Sequence, residues 1–271
     1  MKARKRNRLS LKAWGLALIA VAGSISSSLS FPQEGHSLKP FRQWSKKEAN
    51  SVLEESDWVI KQEVRIRYAE LSRRIAGGSV PSTSEGGLTN TTSTMADMGG
   101  AEAPVDFQFT LRLRSAVVVR QALVRLKQLD ANYDQMSQKD RAAFDARFKG
   151  LLECPACEQN YVLTLSSRSK QNPGADPVFT VFKGGRLSDL QRYVFIANGH
   201  GERRDLIHFV PPKAPGDEAI FYFPRFNLEG KPLLTSTETE LIANFTNNDV
   251  NMNTNFQVDV TKLVVNGQID F

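Results

Sequence analysis

Between residues 105 and 114 the side chains alternate without interruption: Val105, Phe107, Phe109, Leu111 and Leu113 against Asp106, Gln108, Thr110, Arg112 and Arg114. A period of two places the first set on one face of a strand and the second on the other, so this segment predicts a β-strand with one buried face. From residue 160 onward similar short runs recur, at 161–166, 192–198, 204–210, 219–223, 240–245, 256–260 and 263–271. Gly199-His200-Gly201, Pro215-Gly216-Asp217 and Asn266-Gly267 punctuate them, and Asn266-Gly267 predicts a two-residue hairpin turn.

Helical spacing is confined to the earlier part of the chain. Ser45 and Glu48 form the sequence of a capping box, followed by Ala49, Val52 and Leu53 on one face. Trp58, Ile60, Val64 and Ile66 then alternate with charged residues, predicting a strand to about residue 68 and a helix or irregular segment beyond it. Ser115 stands where it can cap a helix running to about Leu129. Ser137 with Asp140 opens another, whose apolar face is Phe144, Phe148, Leu151 and Leu152. The expected fold is therefore α+β, mainly antiparallel β in the C-terminal half as a sandwich-like or curled sheet. About three helices lie in the N-terminal half and middle, the two middle ones packed on the sheet.

The N-terminus sets the compartment. Lys2, Arg4, Lys5, Arg6, Arg8 and Lys12 precede an apolar run from Ala13 to Ala22, the layout of a secretory signal peptide spanning residues 1–30. Ser28 and Ser30 suit cleavage before Phe31, and the run is too short to span a bilayer. Cleavage removes six basic side chains and leaves the remaining Lys plus Arg equal to the 29 Asp plus Glu. The basic balance of the whole chain thus belongs to the signal and does not point to nucleic acid. Arg112, Arg114, Arg120, Arg125 and Lys127 read as solvated faces of a strand and helix.

Gly, Ser and Thr fill more than half of residues 77–104, which predicts a flexible linker or long loop. It separates an N-terminal helix and strand segment, 31–76, from a core domain, 105–271.

Cys154 and Cys157, in Glu153-Cys154-Pro155-Ala156-Cys157-Glu158, are the only cysteines. Following a helix, with two acids beside them, they lack the positive helix end that activates a thiolate. In an oxidising compartment they are expected to form a local disulfide holding a turn between helix and strand. A redox pair is the alternative. A zinc set of Cys154, Cys157, His200 and His208 lacks the usual ligand spacing, and His208, in phase with Leu206 and Val210, reads as a core residue. No nucleophile-elbow, zinc-protease or phosphate-loop motif occurs, so neither a catalytic residue nor a cofactor is expected. Tyr222, Phe223, Arg225 and Phe226 are the candidate contact residues, because Pro224 interrupts strand pairing and suggests an exposed edge.

Lys39-Pro-Phe-Arg-Gln-Trp-Ser-Lys-Lys-Glu-Ala, leading to Ser56-Asp57-Trp58, and the stretch from His208 to Phe226 resemble segments of a family of uncharacterised exported bacterial proteins frequent in acidobacteria. Some of its chains are grouped with GWxTD-domain proteins, but this chain contains no Gly-Trp-x-Thr-Asp. The resemblance implies bacterial export and carries over no residue role. The functional expectation is an exported, non-enzymatic protein that binds an unknown protein or an envelope component, with no membrane span after cleavage. The alternative is an extracytoplasmic enzyme, either a thiol oxidoreductase using the two cysteines or a hydrolase.

Overall fold

The structure, a computed structural model, describes residues 39–68, 71–72, 103–246, 252–265 and 268–271. The signal segment 1–30, nearly all of 77–104 and the Asn266-Gly267 turn lie outside the described residues. Those described fall within one compact unit, Gly35–Phe271.

Two antiparallel sheets carry the architecture. One contains β1 (Val59–Ile66), β2 (Val105–Leu113), β3 (Asn160–Arg168), β6 (His208–Val210) and β7 (Ala219–Pro224), in the order β1-β2-β3-β7-β6. The other contains β4 (Phe195–Asn198), β5 (Arg203–Asp205), β8 (Glu240–Asn244) and β9 (Asn255–Asp259), in the order β5-β4-β8-β9. A short hairpin of β10 (Val264–Val265) and β11 (Gln268–Ile269) flanks the predicted Asn-Gly turn. The fold is α+β, with most strands in the C-terminal half.

The alternation read in residues 105–113 dictates the core. Leu111 pairs with Leu165 and Ile60, Leu165 with Ala219, and Leu113 with Leu163, which pairs with Phe221, so one face of the first sheet is apolar across its width. On the second sheet Ile196, Ala243 and Phe256 share a face, and so do Leu241 and Val258; all are buried. Phe221 and Phe245, 4.8 Å apart, join the two layers, and Phe245 meets Phe256 at 6.0 Å. Because β1 and β2 pair along eight residues, segment 31–76 and the core share one sheet, and residues 77–104 lie in sequence between two neighbouring strands of it.

The predicted strand 204–210 is divided. Arg203–Asp205 pairs in the second sheet and His208–Val210 in the first, so the chain changes layers at Leu206 and Ile207 and the side-chain phase restarts. His208 is consequently exposed rather than in the core, its ring 4.9 Å from Tyr222.

Three longer helices form the remaining part: α1 (Lys46–Glu55), α2 (Val117–Asp130) and α3 (Gln138–Glu153). α1 opens with the predicted box, Glu48 N donating to Ser45 Oγ and Ser45 N to the Glu48 carboxylate. These bonds, with the Lys39 ammonium, hold the Glu48 carboxyl down at about 2. A depressed carboxyl stabilises the fold fully above its ordinary value near 4.5, and the contribution is lost as pH falls through about 2. The stability difference between the protein and Glu48→Gln, measured by urea melts, is therefore expected to shrink between those two pH values; a difference constant across that window would refute the cap.

Ser115 does not cap α2. Its hydroxyl instead accepts from Val162 N on β3 at 3.2 Å, while Ala116 stands at the cap without a side-chain bond. α3 packs on α2, away from the sheets, and Phe144, Phe148, Leu151 and Leu152 are only half-buried. Of the basic cluster only Lys127 is exposed as a solvated face requires. Arg120 and Arg125 are buried, and Arg112 joins Glu54 and Glu218. Arg125 donates to Trp44 O and pairs with Asp134, tying α2 to the chain before α1.

Three short helices escaped the sequence reading: α4 (Pro155–Gln159), α5 (Pro177–Phe182) and α6 (Leu187–Leu190). For α5 the signal was present, since Asp176 caps Phe179 N and Pro177 follows at the first position.

Candidate functional site: a cleft beside the disulfide

Cys154 and Cys157 are joined, with sulfurs 2.00 Å apart. Cys154 ends α3, as expected, in the left-handed region at φ 43°. It also stands at the start of α4 with Pro155 at the first helical position, so the motif lies between two helices rather than simply after one. A left-handed conformation costs a non-glycine residue about 1 kcal/mol, and the bridge to Cys157 fixes this junction. Cys157 is buried and Cys154 less so.

Both cysteines line a cleft of about 1040 Å³. Phe41, Trp44, Val117, Val118, Ile269 and Phe271 supply its apolar lining, and the start of α2 forms one side. The last described segment runs along it. Asp270 accepts from the first two amides of α2, Val117 N at 2.8 Å and Val118 N at 3.2 Å, replacing the cap that the sequence assigned to Ser115. Asp270 O accepts from the Trp58 indole at 2.8 Å, and the Phe271 ring meets Tyr161 edge-on at 4.9 Å.

Two guanidiniums line the same cleft. Arg225 stacks over Tyr161 at 4.6 Å, donates to Cys157 O at 2.7 Å and bonds the Phe271 main-chain oxygen. Arg120 is 7% exposed, donates through Nη1 to Leu152 O, and its buried Nε has no hydrogen-bond partner. Among the described residues neither arginine forms an ion pair with a side-chain carboxylate. Burial lowers both guanidinium pKa values; for Arg120 the Asp270 charge opposes the shift and Arg225 adds to it. Burial likewise raises the Tyr161 phenol above its ordinary value.

The residues singled out in the sequence do not assemble into one surface. Arg225 lines the cleft; Tyr222 is half-buried against His208 on the opposite face of its sheet; Phe226 is 42% exposed on the following loop. Phe223 is fully buried in the core and offers no contact surface. β7 is an interior strand and β6 the edge, because Pro224 falls at the last paired position, where its missing N–H breaks no ladder. The zinc set is not formed: the cysteines are oxidised, and the described residues contain no cluster of three or more metal-ligating side chains. No described helix is long and apolar enough to cross a membrane.

Sequence reasoning missed Arg120, Asp270 and Trp44. Arg120 follows Val119 and precedes Ala122 on the buried side of α2, which was a usable signal; nothing local marks Asp270 as the partner of a helix 152 residues away. The chain matched no protein-family model, no curated protein and no solved structure.

Proposed function

We propose that the protein acts by binding, as an exported module that holds a ligand or a segment of an envelope partner in the cleft beside the disulfide. One observation carries this reading: a cleft of about 1040 Å³ combines an apolar lining with two convergent, partly desolvated guanidiniums, the composition of a ligand site. The disulfide suits an oxidising compartment, in keeping with the signal-like N-terminus. Val117, at the first position of α2, lines the cleft and is 45% exposed, so a larger side chain there can obstruct it without disturbing the core. Val117→Trp is expected to keep the wild-type melting transition and to weaken binding of 3-phenylpropionate at least tenfold by calorimetry. Unchanged affinity would remove the cleft from the reading.

A second reading, thiol–disulfide exchange, is favoured by the less buried cysteine standing at the start of α4 before a proline. A staple and a redox centre differ measurably. Closing so short a loop stabilises by about 2 kcal/mol, so a Cys154→Ala, Cys157→Ala double variant is expected to remain folded with a loss of that order in urea. The wild-type protein is expected not to accelerate insulin reduction by dithiothreitol. Acceleration that disappears in the double variant would replace the binding reading with the redox one.

A further inference from the structure

We propose that the cleft contains a carboxylate subsite, formed by Arg120 and Arg225 beside the first turn of α2, and that its ligand is a small apolar carboxylic acid. The proposal rests on the cleft being the binding surface and adds the chemistry of what it selects.

A buried guanidinium is strongly penalised unless its N–H groups meet acceptors and its charge meets an opposite charge. Arg125 pairs with Asp134, and Arg204, although its buried Nε is also unpartnered, has its charge met by Glu202. Arg120 meets neither fully, for Leu152 O is a neutral acceptor and its buried Nε is unpartnered. Arg225 donates to the Cys157 and Phe271 main-chain oxygens. Arg120 thus differs from Arg125 and Arg204 in having its charge unmatched by a paired side-chain carboxylate while it lines a cleft, and an incoming carboxylate supplies two oxygens in the geometry a guanidinium fork matches.

The chain's own segment shows the kind of group the cleft accommodates. The Asp270 carboxylate sits on the α2 amides while the adjoining Phe271 ring packs on Tyr161, an acid beside an apolar group. Among the lining side chains Asp270 is the acid set on the α2 amides, its oxygens engaged by Val117 N and Val118 N, while Arg225 bonds the Phe271 main-chain oxygen and Arg120 that of Leu152. The other charged lining groups, Lys39, Glu153 and Glu158, are all exposed. The two exposed acids disfavour a polyanion, whereas a single carboxylate with an apolar tail suits both the arginines and the walls formed by Phe41, Trp44 and Val118.

The test compares acids with their neutral amides on the wild-type protein by calorimetry: 3-phenylpropionate against 3-phenylpropionamide, and decanoate against decanamide. Each acid–amide pair isolates the charge, and the two pairs together distinguish an aromatic tail from an acyl one. At least one acid is expected to bind about tenfold or more tightly than its amide, as a charge-assisted contact predicts. Arg120→Gln is expected to reduce that ratio towards one. The wild-type comparison stands even if the variant does not fold. Equal affinity for acid and amide would overturn the carboxylate subsite and leave the binding reading intact. No measurable binding of any of the four compounds would likewise overturn the small-acid subsite, while the binding reading, which also admits a partner segment, would stand.

Discussion

Trp58→Ala is expected to cost about 3–5 kcal/mol, close to the whole stability margin of many domains of this size. Trp58 is fully buried immediately before β1, and its carbonyl accepts from Leu113 N at the end of β2, closing the first strand pair. The indole N–H reaches across 212 residues to Asp270 O, so the side chain also anchors the segment that runs along the cleft. Removing it leaves a cavity and an unpaired carbonyl together. Trp58→Phe retains most of the apolar volume and is expected to lose less than half as much. The check is equilibrium urea denaturation, with the midpoint falling and the slope retained. A loss under 1 kcal/mol for Trp58→Ala would show that the C-terminal segment is not docked as described.

A loss of similar size, about 3–5 kcal/mol, is expected for Phe221→Ala. The Phe221 ring lies 5.3 Å from Phe182, 5.2 Å from Phe209 and 4.8 Å from Phe245, so it touches α5, the edge strand β6 and the chain after β8 at once. Such aromatic pairs contribute about 0.5–1.5 kcal/mol each beyond burial, and all three are lost together. Phe226→Ala, five residues along and 42% exposed, is the matched control and is expected to change stability by less than about 0.5 kcal/mol. Similar losses for the two variants would contradict the packing of the sheets through Phe221.

The strands were legible because their signal is local. The alternation of residues 105–113 names the face that later meets the second sheet, and Ser45 with Glu48 names the start of α1. Where the sequence misled, the deciding contact came from afar. Ser115 carries the chemistry of a helix cap, yet Val162 of β3 engages its hydroxyl and Asp270 takes over the helix end. His208 lies in phase with Leu206, but a change of sheet between them reverses its exposure. Arg120 and Arg125 share a charge and a helix and were read together as surface. One is paired with a carboxylate while the other lies against a cleft, and only tertiary structure separates a structural arginine from a candidate binding one. The cysteine motif was placed correctly at the end of a helix, whereas the cleft it borders depends on residues from 39 to 271 and has no signature in any single stretch.

The central claim, that the cleft beside the disulfide is where this protein meets its ligand, is tested most directly by an amide NMR titration of the wild-type chain with 3-phenylpropionate and decanoate. Saturable shifts concentrated at Val117, Val118, Arg120, Cys154, Cys157 and Asp270 are the expected result. Shifts that saturate on another surface would contradict it.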